Sequence, residues 1–308
     1  MLVVIALGGN AILQRGEPLE AHIQYQNIKK AAAAIAKVAE EHTVVLTHGN
    51  GPQVGLLALQ NDAYKDVSPY PLDVLGAETE GMIGYMFAQC LNNEMPKQSV
   101  AALLTQTIVD KDDPAFADPT KFVGPVYSQE EATELTRTMG YTIKADGLYF
   151  RRVVPSPLPK AIVELDTIKA LVDQGSLVIC TGGGGVPVAK TGDKLEGVEA
   201  VVDKDRASAV LAHDLKADAL IILSDVDAVA INWGTPEQKN IKKATTAQMD
   251  SFDFAKGSMG PKVEAICDFV KQGGKIGAIG SLDNAEGILR GVTGTVVSED
   301  HKGDIEYY

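Results

Sequence analysis

The residues best suited to chemistry are four glycine-rich junctions and a few lysines beside helix starts. The junctions are Gly8-Gly9-Asn10-Ala11, His48-Gly49-Asn50-Gly51-Pro52, Thr181-Gly182-Gly183-Gly184-Gly185 and Gly257-Ser258-Met259-Gly260-Pro261-Lys262. Glycine lets backbone N–H groups approach an anion, and a helix N-terminus adds favourable partial charge. One such junction alone reads as a tight turn. Four together, two of them carrying Asn, point to phosphate or carboxylate binding. Lys204, in Asp203-Lys204-Asp205, and Lys262, after Gly260-Pro261, stand where helices begin. A cation there costs about 0.3–1 kcal/mol, which a bound anion would offset. The ordinary alternative is a solvated lysine reaching away from the helix. Asp203 and Asp205 read as helix caps, and Asp205 also suits holding a lysine ammonium or positioning a metal-bound phosphate. Lys121, by composition, is a surface lysine. Ser224-Asp225-Val226-Asp227 reads either as the border of a nucleotide or as an Asp-rich strand end. Trp233, the only tryptophan, suits either an adenine or ordinary packing, and Arg151-Arg152 either a salt-bridged or an anion-facing pair.

Several other chemistries are disfavoured. Counting GxGxxG from Gly182 puts Pro187 in place of the third glycine, which weakens a dinucleotide site. There is no GxxxxGK[ST] and no protein-kinase HRD or DFG. The five histidines lack HxxxH spacing, so no resident metal site is expected. Cys90, Cys180 and Cys267 form no CxxC and suggest free thiols in a reducing, cytoplasmic setting. Asp plus Glu (41) outnumber Lys plus Arg (28), and a net charge of −13 repels nucleic-acid phosphates. No apolar run approaches the roughly 20 residues of a membrane helix. Met1–Ile5 has no basic region and runs into a strand pattern, so a signal peptide is not expected.

The elements that must position these residues are α/β in pattern. Strands are predicted at Leu2–Leu7, Thr43–His48, within Ser99–Val109, and at Leu177–Cys180, Ala219–Leu223 and Lys275–Ile279. Helices are predicted over Ala21–Glu41, from Pro52, over Leu72–Leu91 and over Arg206–Leu215. The alanine run Ala31–Ala34 reads as the packed face of the first. Continuous apolar strands alternating with helices indicate a mainly parallel sheet covered on both faces, with the first three junctions at its carboxyl ends. The stretch 110–159 breaks this rhythm with prolines at 114, 119, 125, 155, 157 and 159, and reads as an inserted subdomain or lid.

Longer strings are more specific. Ala6-Leu7-Gly8-Gly9-Asn10-Ala11, His48-Gly49-Asn50-Gly51-Pro52-Gln53-Val54-Gly55, Asp113-Pro114-Ala115-Phe116, Pro119-Thr120-Lys121, Arg151-Arg152-Val153-Val154-Pro155-Ser156-Pro157, Glu199-Ala200-Val201-Val202-Asp203-Lys204-Asp205 and Gly257-Ser258-Met259-Gly260-Pro261-Lys262-Val263 are all present. Together they resemble the carbamate kinase branch of the amino-acid-kinase family, over residues 3 to about 297. The resemblance implies a three-layer α/β/α fold with an open, mainly parallel, eight-stranded sheet and a small protruding subdomain, usually in a homodimer. It implies reversible phosphoryl transfer between ATP and carbamate, with magnesium. The expected physiological direction is ATP formation from carbamoyl phosphate in arginine breakdown.

By the same resemblance the chain is a single domain. A lobe of about 1–200, including the insert of about 110–159, would bind carbamate and the transferring phosphoryl group through Gly8, Gly9, Asn10, Gly49, Asn50 and Gly51. A lobe of about 201–308 would bind ATP or ADP near Ser224, Asp225, Val226, Ser258 and Met259. Lys204 and Lys262 match the phosphate-contacting lysines and Asp205 the carboxylate that orients them. Relatives such as acetylglutamate kinase carry a lysine where this chain has Ala6. Lys121 matches the cation that the protruding subdomain supplies instead. His48 is expected to be structural, since carbamate needs no general base. The competing readings are a kinase for another small carboxylic acid and a non-catalytic nucleotide or metabolite sensor, with a nicotinamide dehydrogenase more distant.

Overall fold

The computed structural model describes residues 1–14, 16–255 and 258–308. Six parallel strands form the centre of the main sheet, in the order Ile276–Ser281, Ala219–Ser224, Leu2–Leu7, Thr43–His48, Leu177–Ile179 and Val100–Ala102. Beyond Ile276–Ser281 lie Thr295–Val297, antiparallel to it, and Lys239–Ala244. The two-residue strands Ala230–Ile231 and Glu306–Tyr307 pair with Lys239–Ala244 and bring the described total to ten. The eight expected strands are those of three residues or more.

Strict alternation along the central strands explains the layers. Val4, Ala6, Val45, Leu220 and Ile222 face one core, where Ile168, Leu211, Val263 and Ile266 arrive from helices Leu165–Asp173, Lys204–Asp214 and Met259–Lys271. Val3, Ile5, Leu7, Val44, Leu46, Ile221 and Leu223 face the other. There Ile28, Ala31, Ala32 and Ile35 of helix Ala21–Ala39 meet Ile83, Phe87 and Leu91 of helix Leu72–Glu94. Apolar residues on both faces of each strand require a helical layer on each side, which makes the sheet the middle of three.

The stretch Ser99–Val109 holds two strands rather than one. Val100–Ala102 ends the main sheet, and Gln106–Val109 belongs to a separate four-stranded sheet with Pro159–Ile162, Val186–Thr191 and Lys194–Gly197. The break comes at Thr105, whose backbone N–H donates to Glu80 Oε2 at 2.7 Å and not to a strand neighbour. Strands Lys121–Tyr127, Tyr149–Val154 and Ile143–Asp146 form a third, antiparallel sheet accompanied by helix Gln129–Met139. Helix Gly51–Ala63 packs on this sheet where Gly55 and Gly124 meet. A Cβ at Gly55 would come within 2.7 Å of the Gly124 Cα. No described helix is long and apolar enough to cross a membrane.

Candidate active site

Three lysines from three separate elements converge on two aspartates at one helix start. Asp203 caps helix Lys204–Asp214, accepting from the amides of Asp205 and Arg206 at 3.0 and 3.3 Å. Its other oxygen accepts from Lys121 Nζ at 2.7 Å, the lysine arriving at the start of strand Lys121–Tyr127. Asp205, in the first turn, does not cap. One of its oxygens pairs with Lys204 Nζ and the other accepts from Lys262 Nζ at 3.2 Å. Lys262 comes from helix Met259–Lys271, which crosses beside Lys204–Asp214. The predicted helix start at Arg206 therefore moves to Lys204, since Asp203 supplies the cap two residues earlier.

Burial and ion pairing act against each other in this cluster. Burial opposes ionisation of Asp203, but the ammoniums of Lys121 and Lys204, with the cap amides, hold its carboxyl well below the usual carboxylate range. Burial, aided by the nearby Lys262 ammonium, lowers Lys204, while Asp205 acts in the opposite direction. The Asp205 side chain is 4% exposed, so the two lysines share one almost sealed carboxylate.

The glycine junctions gather at the carboxyl ends of the strands beside this cluster. Gly8 N–H donates to Leu223 O at 2.8 Å and Gly49 N–H to Leu7 O at 3.0 Å, so both junctions leave neighbouring strands at one level. A Cβ at Gly49 would lie 3.4 Å from Gly9 N and 3.6 Å from the Lys204 stem. Gly49, Gly9 and Lys204 are thus direct neighbours. Asn10 is half-buried in the single turn Gly9–Ala11. Gly51 opens helix Gly51–Ala63, with Asn50 at its cap position. Asn50 Nδ2 donates to Thr79 Oγ1 at 2.8 Å, and its carboxamide lies where any Cβ on Gly183 would overlap it. Gly183 also has φ +64°, a second reason for glycine there.

Behind the glycines lies a buried set of titratable groups. His48 stacks on Phe87 with centroids 6.1 Å apart, and its Nδ1 lies 3.1 Å from Gly49 O. Burial, together with the Lys204 charge, lowers its pKa to about 4. The structural role expected of His48 agrees with this packing. Glu80 accepts from Thr105 N–H and the Thr105 hydroxyl, and burial raises its pKa to about 8. Thr105 Oγ1 in turn accepts from Thr181 N–H at 2.7 Å. Thr181 is fully buried at φ +54°, a left-handed conformation that costs a β-branched residue about 1–3 kcal/mol. Glu80 and Thr105 therefore brace a strained turn.

Sequence reasoning missed Glu80, Thr79 and the pairing of Asp203 with Lys121. Glu80 had one signal, its spacing of three and seven residues from the buried Ile83 and Phe87 on the same helix face. Asp203 had none beyond its capping position, because its partner is 82 residues away.

The residues expected near a nucleotide are more dispersed. Ser224 ends its strand beside Gly8, where a Gly8 Cβ would lie 3.8 Å from the Ser224 Cα, and its hydroxyl donates to Asp225. Val226 and Met259 pack against the same core. Ser258 precedes the helix that carries Lys262, and Gly257 lies outside the described residues. Trp233 is 68% exposed. Arg151 pairs with Asp146, and Arg152 stacks on Tyr141 and pairs with Glu199, so the salt-bridged reading holds for both. Cys90, Cys180 and Cys267 are buried free thiols.

The model of the amino acid kinase family matches residues 1–279. The carbamate kinase of Rhizobium meliloti (strain 1021) is 55% identical over 302 residues, covering 97% of this chain and 93% of that protein. The chain belongs to the carbamate kinase branch of the amino acid kinase family. The carbamate kinase of Haemophilus influenzae is 53% identical, with full coverage of both proteins. The structure of a Giardia lamblia carbamate kinase bound to AMP-PNP superposes with a TM-score of 0.90 at 42% identity, over 97% of this chain and 98% of that one. Phosphoryl transfer needs positioning and charge stabilisation more than covalent help.

Proposed function

We propose that this chain is a carbamate kinase, interconverting ATP plus carbamate with ADP plus carbamoyl phosphate. The observation that carries the reading is the convergence of Lys121, Lys204 and Lys262 on Asp203 and Asp205 beside the Gly8-Gly9 and Gly49 backbone. Carbamate is already an oxyanion, so its attack on the γ-phosphorus needs no general base, and a neutral buried His48 is consistent with that. The amides of the Gly8–Asn10 and Gly49–Gly51 junctions, with Asn10 and Asn50, hold the acceptor in line. Lys204 and Lys262 each keep donor hydrogens beyond the one given to Asp205, and these meet the transferring oxygens. Lys121 fills the cationic place left by Ala6. Ser224, Asp225, Val226, Ser258 and Met259 border the nucleotide.

Magnesium bound to the nucleotide phosphates would neutralise charge on the transferring group. Among the described residues no group of three or more His, Cys, Asp or Glu side chains is arranged to hold a metal. An ion carried by phosphates and water needs no such group. We further assign residues of about 1–200 to the acceptor and phosphoryl lobe and about 201–308 to the nucleotide lobe. The insert of about 110–159 brings Lys121 into place and acts as a cover that excludes water from the acyl phosphate. A cytoplasmic homodimer working in arginine breakdown completes the proposal.

The test is ATP formation from ADP, magnesium and carbamoyl phosphate in a coupled assay. Fast, magnesium-dependent turnover is expected. Lys204→Ala should lower it by roughly 10²–10³, the usual cost of one preorganised donor. A loss below tenfold with the fold intact would remove Lys204 from the reaction. Absence of turnover would favour a sensor, or a kinase for another small acid.

A further inference from the structure

We infer that Thr79 fixes the orientation of the Asn50 carboxamide, and that Asn50 Oδ1 thereby selects a substrate bearing an N–H beside its carboxyl carbon. The inference rests on the carbamate kinase reading and specifies how the amino group is recognised. Asn50 occupies the cap position of helix Gly51–Ala63. An asparagine there ordinarily turns its side-chain oxygen onto an amide of the first helical turn. Asn50 makes no such bond. Its Nδ2 is turned instead onto Thr79 Oγ1, at 2.8 Å.

Thr79 dictates which end of the amide it receives. Its fully buried hydroxyl donates its single hydrogen to Gly76 O, at 2.7 Å. With that hydrogen committed, Thr79 can only accept, so Asn50 must present its NH₂. On the other side the carboxamide is flanked by Gly183, where even a methyl group would overlap it. Helix and glycine turn together clamp the amide with Oδ1 away from Thr79. Oδ1 has no hydrogen-bond partner among the described residues, and it is not among the side-chain atoms sealed from solvent without one.

An open acceptor is out of place in an anion site otherwise furnished with amides and ammoniums. It would repel a carboxylate or phosphoryl oxygen. Facing the NH₂ of carbamate or carbamoyl phosphate, it accepts a hydrogen bond. Acetate and acetyl phosphate carry a methyl group of similar size there and leave the oxygen unpaired, a mismatch that polar sites reject strongly. Thr79 is the positioning residue and Asn50 the selecting one.

The experiment compares kcat/KM for carbamoyl phosphate and acetyl phosphate, with ADP and magnesium, in the wild-type protein, Thr79→Val and Thr79→Ser. Valine keeps the shape and removes the acceptor. The ratio of the two specificity constants should fall about tenfold in Thr79→Val, the equivalent of one net hydrogen bond, with the loss falling on carbamoyl phosphate. Thr79→Ser, which restores the hydroxyl, should recover the wild-type ratio. A ratio unchanged in a Thr79→Val protein that melts like wild type overturns the inference, as does an equal loss on both donors. If Thr79→Val does not fold, the wild-type ratio still decides, because equal use of both donors by the wild-type protein also overturns it. Failure of both donors to give ATP strikes the carbamate kinase reading itself.

Discussion

Two sets of titratable side chains flank the same glycine junctions, and burial favours the neutral form in both. Asp203, Lys204 and Asp205 are buried and ion-paired. His48 and Glu80, a few residues behind them, are buried and neutral near pH 7, with pKa values of about 4 and about 8. The difference is partnership. Each aspartate in the first set meets an ammonium within hydrogen-bond reach. Among the described residues Glu80 accepts from the amide and hydroxyl of Thr105, and His48 lies against a carbonyl and a phenyl ring, neither with an opposite charge in hydrogen-bond reach. A desolvated ion keeps its charge when an opposite charge replaces water; without one, the neutral form wins. The ion-paired set holds three lysine side chains beside the glycine junctions. The neutral set shapes the glycine turns without adding a field of its own.

Removing the shared carboxylate should break this contrast most severely. In Asp205→Ala, Lys204 and Lys262 are left unpaired beside each other, and about 3–5 kcal/mol of stability should be lost, the usual cost of stranding a buried ion. Phosphate should restore part of it, because an anion takes the carboxylate's place. Denaturant midpoints with and without phosphate measure both effects. Equal stabilisation of wild type and variant by phosphate would count against the ammoniums being an anion site.

The neutral set predicts a pH signature instead. A carboxyl raised to about 8 from its ordinary 4.5 binds a proton in the folded protein that the unfolded chain releases. Its contribution therefore falls as pH rises from 4.5 to 8. His48, lowered to about 4 from 6.5, acts in reverse and costs stability as pH falls from 6.5 towards 4. Between 4.5 and 6.5 the two slopes oppose, and above 6.5 Glu80 acts alone. Wild type should thus lose stability between pH 6.5 and 8 by up to about 1.4 kcal/mol per pH unit. Glu80→Gln should flatten that decline. Parallel melting profiles for the two proteins would show that Glu80 is ionised in the fold.

The smallest effect isolates burial. Arg206 and Glu264 join the same two helices as Asp205 and Lys262, at 2.7 Å, but their side chains are 38% and 56% exposed. Arg206→Ala should cost at most about 0.5–1 kcal/mol, because water screens the pair. Its turnover should match wild type. A large loss of rate would show that helix alignment, and not the buried carboxylate, controls the lysines.

Much of this protein was legible in its residue order. Val- and Ile-rich runs at 2–7, 43–48 and 219–223 gave strands with those bounds or one residue more, because buried parallel strands need apolar side chains on both faces. The glycine junctions at 8–9, 49–51 and 182–185 marked where the backbone must turn tightly at strand ends. Lys204, Asp205, Lys262 and Lys121 were legible as motif residues. What local pattern could not yield was which charges would meet. Lys121 finds Asp203 across 82 residues, Lys262 finds Asp205 across 57, and Glu80 reaches Thr105 across 25. Periodicity and propensity act within a turn or a strand, so they set the elements and the glycine corners. The charge state of a buried group depends on what desolvates it and what replaces the lost water. Only the packing of distant elements around Asp203 and Glu80 decided that, leaving the one an ion and the other a neutral brace.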